Sequence, residues 1–240
     1  MIDEDGYFGE RIAATYDDGD DMFSAETLAP TIDLLGELAG GGTAVEFAIG
    51  TGRVALPLSA SGVDVCGIDM SRAMVAQMRA KPDGDAIRVE IGDMTTVNMG
   101  TGFSLAYLVY NTVMNLTTQD LQIECFANAA RHLKQGGFFV IEVGLPPLRL
   151  LPPGQRAVPF ATEPDACAYD LIDTSTQFLS SNYWTVADGL HSIPFRYVWP
   201  GELDLMARMA GMRLHERYAD WNREPFAHES TKHVSVWRKI

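Results

Sequence analysis

Cysteine is scarce in this sequence, and its few cysteines stand far apart. Cys66, Cys125 and Cys167 are the three cysteines among 240 residues, and no two have the close spacing of a metal-binding pair. This pattern argues against a disulfide-rich scaffold. It predicts reduced thiols in a cytoplasmic protein without a metal site.

Long apolar runs and a targeting segment are also lacking. No apolar stretch approaches the roughly 20 residues that a membrane-spanning helix needs. Residues 1–5 are Met-Ile-Asp-Glu-Asp, without the basic and apolar regions of a signal peptide. We therefore expect a cytoplasmic protein that makes no membrane contact.

Basic residues are few as well. Lys and Arg number 18 against 32 for Asp and Glu, which gives a net charge of −14 at pH 7. A field of that sign repels phosphate backbones. We therefore expect no binding along an extended DNA or RNA surface, and solubility is the simplest reason for the acidic surface.

The first half of the chain has the rhythm of an α/β protein. Between 43 and 143, short apolar runs alternate with helical patterns, which predicts a parallel sheet covered by helices on both faces. Gly136 and Gly137 are expected to end the helix before the fifth strand. The predicted strands are 44–49, 63–68, 86–91, 103–110 and 138–143.

The pattern changes after the fifth strand. Proline-rich stretches near 145–154 are followed by three β-rich runs, near 167–174, 177–187 and 191–199, which predict a small antiparallel β insertion. A helical pattern and two closing strands come next. We expect one domain, with an N-terminal helical arm (1–42), a core (43–143), the insertion (145–200) and a C-terminal helix and hairpin (201–240).

The most informative stretch runs from Val45 to Arg53. An apolar strand ends in the turn Gly50-Thr51-Gly52, and an amphipathic segment follows, as in strand-turn-helix units that hold a nucleotide-like ligand. The glycines let the backbone turn tightly and approach a ligand closely. Glu46 lies inside the otherwise buried strand, where an acid is costly unless it meets a partner.

Two further acids follow the next two predicted strands. Asp69 comes after the second strand and Asp93 after the third, so both are expected at the carboxyl edge of the sheet beside the glycine turn. A carboxylate at Asp69 can accept hydrogen bonds from two ribose hydroxyls. One at Asp93 could accept a hydrogen bond from an exocyclic amine. These features predict one ligand-binding crevice.

The order Glu46-x-Ala48-x-Gly50-x-Gly52, then Asp69, then Gly-Asp-Met resembles the class I S-adenosylmethionine (SAM)-dependent methyltransferases. The resemblance covers roughly 43–143 and 200–240. It implies a Rossmann-like, seven-stranded, mostly parallel sheet whose last strand is antiparallel, and SAM as the cofactor. Ala48 stands where the family usually has a glycine, and its small side chain still allows the turn.

The resemblance also implies roles for individual positions. Glu46 and the turn Ala48–Gly52, which includes Thr51, would hold the methionyl end, with Arg53 beside them as a further cofactor-binding residue. Asp69 would bind the ribose, and Asn111 would be the polar group beside the methyl. The remaining implied cofactor residues are Met70, Asp93 and Met94 at the adenine, and Val109 and Tyr110 at the sulfonium.

The flanking segments are similar to those of small-molecule N- and O-methyltransferases, including the aminosugar and glycine types. That similarity implies a small-molecule acceptor covered by the insertion. It also implies that Tyr16 reaches the methionyl group, although packing of an N-terminal helix explains Tyr16 equally well. An exposed face of the insertion could support a homodimer.

The expected chemistry is an in-line methyl transfer without metal, in which the protein aligns the reactants and excludes water. N-methylation is slightly favoured by the resemblance, and a hydroxyl acceptor would need a base such as Glu142, His191 or His228. A nicotinamide-dependent oxidoreductase is one alternative, because Gly50-x-Gly52-x-x-Ala55 approximates a dinucleotide fingerprint. A non-catalytic partner subunit and a macromolecule-directed methyltransferase are the others.

Overall fold

The structure is a computed structural model that describes residues 7–18, 24–187 and 189–240. Its helices are α1 (Glu10–Ala13), α2 (Ala25–Ala39), α3 (Ala55–Ala60), α4 (Arg72–Arg79), α5 (Gln119–His132) and α6 (Pro200–Met209). Its strands are β1 (Thr43–Phe47), β2 (Asp64–Asp69), β3 (Arg88–Ile91), β4 (Phe103–Leu108), β5 (Leu133–Gly144), β6 (Ala157–Glu163), β7 (Ala166–Asp173), β8 (Phe178–Thr185), β9 (Gly189–Arg196), β10 (Met212–Tyr218) and β11 (Lys232–Lys239).

Seven strands form one sheet in the order β10-β11-β5-β4-β1-β2-β3. Strands β1 to β5 are parallel, and β11 lies antiparallel between β5 and β10. The predicted mostly parallel sheet with an antiparallel last strand is therefore confirmed. Because the strand order reverses between β1 and β4, a crevice forms at the carboxyl ends of these two strands.

Side-chain caps fix the starts of the helices that flank this crevice. Ser71 Oγ accepts a hydrogen bond from the Met74 amide at 3.0 Å and begins α4. Thr118 Oγ1 accepts one from the Leu121 amide at 3.2 Å and begins α5. Each cap satisfies an N–H that has no partner within its helix.

The boundary between α5 and β5 lies earlier than the sequence pattern predicts. The helix ends at His132, and Gly136 and Gly137 lie inside β5 rather than at the helix end. A Cβ atom on Gly137 would stand 3.0 Å from the carbonyl oxygens of Lys134 and Phe103. This glycine therefore serves a close backbone approach rather than a helix stop.

The insertion after β5 contains four antiparallel strands in the order β6-β7-β8-β9, one more than predicted. The missed strand, β6, contains Pro159 and a register shift between Pro159 and Ala161. A proline reads as a strand breaker in sequence, yet it is tolerated here because β6 is an edge strand. Val158, Ile172 and Leu179 join the hydrophobic core that also contains Trp237 of the large sheet.

The described part of the chain lacks two features. None of its helices combines the length and apolar character that crossing a membrane requires. Within the same residues, no three His, Cys, Asp or Glu side chains are grouped as ligands of a metal ion would be.

Candidate active site

The turn after β1 is wound in a left-handed conformation. Ala48, Gly50 and Gly52 have φ angles of 56°, 58° and 76°. A Cβ atom on Gly52 would stand 2.5 Å from Cγ of Met78, so this position requires glycine. Ala48 accepts a conformation that costs a residue with a Cβ about 1–2 kcal/mol. The turn places backbone groups of residues 48–52 at the carboxyl edge of the sheet.

Asp69, at the end of β2, ties that turn to the start of α4. Its Oδ2 accepts a hydrogen bond from the Gly50 amide at 2.7 Å, and its Oδ1 accepts one from the Ser71 amide at 2.8 Å. The residue is buried. The carboxylate is therefore fixed in orientation between the glycine turn and the start of α4.

Glu46 lies within β1 and is almost completely buried, at 2% exposure. The Tyr107 hydroxyl donates a hydrogen bond to its Oε2 at 3.0 Å. Burial raises the pKa of Glu46 to about 8, although the Tyr107 hydrogen bond and nearby Arg53 oppose this shift. The side chain is thus mainly protonated at pH 7 unless a cation is placed beside it.

Asp93 follows β3 and holds its own loop. Its Oδ1 accepts hydrogen bonds from both the amide and the hydroxyl of Thr95, each at 2.8 Å. These bonds orient the carboxylate at the same sheet edge as Asp69. Met70, which is 48% exposed, and Met94 line the space between the two acids.

Residues 7–18, the first described segment of the chain and called the arm from here on, are attached to this edge by polar contacts. Thr51 Oγ1 donates to Asp17 Oδ1 at 2.7 Å, and Lys81 Nζ lies 2.5 Å from Asp17 Oδ2. Lys81 also donates to the Thr51 carbonyl at 2.7 Å. Nearer the start of the arm, the Phe8 carbonyl accepts a hydrogen bond from Ser71 Oγ at 2.7 Å. The arm is therefore anchored to both the glycine turn and the start of α4.

Aromatic rings from the arm and from the end of β4 lie near Arg53. The ring of Tyr16 packs edge-on against Phe8, with centroids 6.3 Å apart. The Arg53 guanidinium lies 4.4 Å from the centroid of the Tyr110 ring. Burial raises the pKa of Tyr16 to about 12, so its phenol is neutral at pH 7 and cannot serve there as a base.

The end of β4 is a strained turn. Tyr110 and Asn111 have φ angles of 58° and 63°, a conformation uncommon for residues other than glycine. The Tyr110 amide donates to Glu142 Oε2 at 3.1 Å, and the Gly144 amide donates to Asn111 Oδ1 at 2.6 Å. Glu142, a candidate base in the sequence, thus accepts a backbone hydrogen bond.

These elements enclose a cavity of about 340 Å³. Its walls bring together all the cofactor and catalytic residues that the sequence predicts, except Gly52 and Asn111. Gly52 supports the turn from behind, and Asn111 is exposed with its amide oxygen committed to Gly144. The predicted residues on the wall are Tyr16, Glu46, Ala48, Gly50, Thr51, Arg53, Asp69, Met70, Asp93, Met94, Val109 and Tyr110.

Other residues of the cavity wall escaped the sequence reasoning. They come from the arm, the start of α4, and the segment from the 3₁₀ turn after β4 to the first turn of α5. The signal that could have indicated the last group is its position directly after a strand that ends at the crevice. These residues include Phe8, Ser71, Met74, Thr112, Asn115, Leu116 and Leu121.

Comparisons with known proteins place this architecture in a family. A family model described as a methyltransferase domain matches residues 44–137. The structure of the CcbJ methyltransferase from Streptomyces caelestis is 32% identical, with 99% of each chain covered and a TM-score of 0.84. The chain belongs to the class I SAM-dependent methyltransferases. No curated protein sequence matches it.

More distant structures share the methyltransferase fold. CalS10, an amino pentose methyltransferase from Micromonospora echinaspora, is 19% identical over 96% of each chain, with a TM-score of 0.67. The sugar N-methyltransferase KedS8 from Streptoalloteichus sp. is also 19% identical, covering 95% of this chain and 92% of its own, with a TM-score of 0.65. As a member of the class I SAM-dependent methyltransferases, the chain has SAM as its cofactor.

Proposed function

We propose that this methyltransferase transfers the methyl group of SAM to an amine nitrogen of a small-molecule acceptor. One observation carries the proposal: a single cavity joins the glycine turn, the acids at the ends of β2 and β3, and an aromatic region closed by the N-terminal arm. The descriptions of CalS10 as an amino pentose methyltransferase and of KedS8 as a sugar N-methyltransferase favour nitrogen over oxygen.

In this proposal the acids hold the polar groups of SAM. Each oxygen of Asp69 already accepts one backbone hydrogen bond, and each can accept a second from a ribose hydroxyl. Asp93 and Met94 address the adenine, with Met70 packed against its ring. Glu46 pairs with the methionyl ammonium group, and the Arg53 guanidinium supplies a positive charge for the methionyl carboxylate.

The aromatic region receives the reacting groups. SAM supplies a methyl group that its positive sulfonium activates. The faces of the Tyr16 and Tyr110 rings attract that positive charge. The walls formed by Leu116 and Leu121 exclude water and hold the acceptor in line with the methyl. A neutral amine needs no base in order to attack, which agrees with the neutral phenol of Tyr16. Asn111 acts as a positioning residue by fixing the start of the loop after β5.

The proposal is tested first by calorimetric titration with SAM, S-adenosylhomocysteine and NADH. Micromolar binding of both sulfur ligands without NADH is expected, and failure to bind either sulfur ligand would overturn the cofactor contacts assigned above. Methyl transfer from radiolabelled SAM is then measured with matched amine and hydroxyl acceptors. Transfer to hydroxyls only would overturn N-methylation, and tight SAM binding without any turnover would indicate a non-catalytic subunit.

A further inference from the structure

The chain between β3 and β4 runs through residues 92–102, all of which the structure describes, without a helix or strand. We call these residues the post-β3 loop. It contains Asp93 and Met94, which both line the cavity. One internal turn joins the Asp93 carbonyl to the Val97 amide at 2.9 Å. The carbonyl groups of Met94 and Val97 must find donors elsewhere, because buried backbone groups are rarely left without a partner.

Asn128 of α5 provides those donors. Its Nδ2 donates hydrogen bonds to the carbonyl oxygens of Met94 at 2.8 Å and of Val97 at 2.9 Å. The side chain is buried, at 1% exposure. Both N–H groups of the amide are therefore directed at the post-β3 loop. Asparagine is a poor helix former, and burying its amide is costly without partners, so the contact with the loop explains its place in α5.

Arg131 and His132 extend this contact along the same helix. Arg131 Nη2 donates to the Thr95 carbonyl at 3.3 Å and to Asn128 Oδ1 at 3.0 Å. The Met99 amide donates to His132 Nε2 at 2.9 Å. Residues three and four positions apart lie on one face of a helix. One face of α5 therefore holds the post-β3 loop at four backbone positions.

The carboxylate of Asp93 is the group of this loop that contacts the base in the proposed function. Thr95 donates two hydrogen bonds to Oδ1 of Asp93, each at 2.8 Å. Oδ2 is therefore the oxygen that would accept a hydrogen bond from the 6-amino group of adenine. A carboxylate oxygen can only accept, so it repels the 6-oxo group of hypoxanthine. The position of Asp93 Oδ2 would thus decide between the two bases.

We propose that Asn128 is a positioning residue that sets the selectivity of the cofactor site for adenine. Asn128 does not line the cavity. It acts through Met94, whose carbonyl it binds directly beside Asp93 in the chain. The buried amide keeps the post-β3 loop from moving away from the base, so that Asp93 Oδ2 retains its hydrogen bond. This inference rests on the proposed function, because it takes the contact of Asp93 with adenine as given.

The test compares two ligands that differ at one edge of the base. Calorimetry measures the affinity of the full chain for S-adenosylhomocysteine and for S-inosylhomocysteine, in which a 6-oxo group replaces the 6-amino group. Wild type should bind the adenine ligand at least roughly tenfold more tightly, as for one hydrogen bond to a charged group. The ratio of the two affinities is the readout, because a general loss of stability lowers both affinities alike.

The decisive variant is Asn128→Leu, which keeps the size of the side chain and removes its donors. We expect the affinity ratio to fall below roughly threefold, because Asp93 is no longer held against the base. Gln122→Met is the matched control. Gln122 is also a buried amide of α5, and its Nε2 donates to the carbonyls of Val113 at 3.2 Å and Arg196 at 3.1 Å. This control should also unfold at lower urea concentration than wild type but keep the wild-type ratio.

A second variant, Arg131→Ala, changes an exposed position and should fold. It removes the hydrogen bonds of Arg131 to Thr95 and Asn128, and the affinity ratio should fall at least roughly twofold. A wild-type ratio in folded Asn128→Leu would overturn the role of Asn128. If Asn128→Leu does not fold, a wild-type ratio in Arg131→Ala overturns it instead.

Asp93→Asn distinguishes failure of this inference from failure of the proposed function. Its Oδ1 can still accept from Thr95 while its NH₂ faces the base, so the preference should reverse in favour of the 6-oxo ligand. Reversal in Asp93→Asn together with a wild-type ratio in Asn128→Leu would overturn only the role of Asn128. An unchanged ratio in Asp93→Asn, or equal affinities in wild type, would overturn the adenine contact and the role of Asn128 with it.

Discussion

The Tyr110 amide donates a 3.1 Å hydrogen bond to Glu142 Oε2, and this bond joins the end of β4 to the end of β5. It stabilises a left-handed Tyr110 whose ring covers Arg53 at the cavity wall. β4 and β5 together therefore fix the orientation of the Tyr110 side chain. Lys232 Nζ, 3.4 Å from Glu142 Oε1, adds a third strand to this arrangement.

Variants of Glu142 distinguish the contribution of this hydrogen bond to stability from the contribution of the negative charge. Glu142→Ala should lower the free energy of unfolding by about 1 kcal/mol, because the Tyr110 amide loses its acceptor. Glu142→Gln keeps an acceptor oxygen and should lose less than half of that. Urea unfolding of the three proteins measures the difference, and equal losses in the two variants would show that charge matters rather than the hydrogen bond.

Asp69 should be needed for cofactor binding in two ways. Asp69→Asn removes charge from the proposed ribose contact and directs an amide NH₂ at either the Gly50 or the Ser71 amide. We expect SAM affinity to fall about 100-fold, as for the loss of two hydrogen bonds to a charged group. Calorimetry measures the change, with Asp64→Asn at the exposed start of β2 as the control. An affinity within threefold of wild type would refute the assignment.

Glu46 should release a proton when SAM binds. Its pKa of about 8 leaves it mainly protonated at pH 7 in the free protein. A methionyl ammonium group beside it lowers that pKa, so binding at pH 7 should release nearly one proton. SAM affinity should accordingly rise between pH 6 and pH 7.5.

Proton release is measured from the binding enthalpy of SAM in buffers of different ionisation enthalpy. Glu46→Gln serves as the control, since glutamine can still accept the Tyr107 hydrogen bond but cannot release a proton. We expect this variant to bind SAM more weakly and to show no buffer dependence from this site. The same proton release in Glu46→Gln and wild type would mean that another group titrates.

We expect the contacts of Asp17 to hold the arm against the glycine turn. Its side chain is 30% exposed, so the ion pair with Lys81 and the Thr51 hydrogen bond together contribute only about 1–2 kcal/mol. Asp17→Asn should weaken SAM binding by about tenfold and speed amide hydrogen exchange in 7–18. Asp18→Asn, at the exposed neighbouring position, is the control. Unchanged exchange in Asp17→Asn would show that the arm is held by its apolar contacts.

The large sheet could be predicted because its signals are local. Buried strands such as Asp64–Asp69 are continuous apolar runs ending in an acid, and the glycine turn follows β1 directly. The boundary at His132 and the strand Ala157–Glu163 could not be predicted. There, a glycine pair and a proline have the conformations that tertiary contacts demand rather than those that their local sequence favours.

The candidate site divides in the same way. Residues at or just after the carboxyl ends of strands, such as Asp69 and Tyr110, could be predicted because parallel strands deliver these ends to one edge of the sheet. The contacts of Asp17 with Thr51 and Lys81 cross 34 and 64 residues and leave no periodic signal in the sequence. The roles of the predicted residues toward SAM stay predictions until the titrations above are made.

The position of β11 between β5 and β10 affects the order in which the protein can fold. β10 precedes β11 in the chain, yet it joins the large sheet only through β11. The partners of β11 in β5 lie 88 residues earlier in the chain for Lys232 with Gly144 and 100 residues earlier for Arg238 with Phe138. Such distant pairing is slow because a long loop must close first. We therefore expect the pairing of β11 with β5 to be a late step of folding, and β10 to reach its place at the edge of the sheet only with that step.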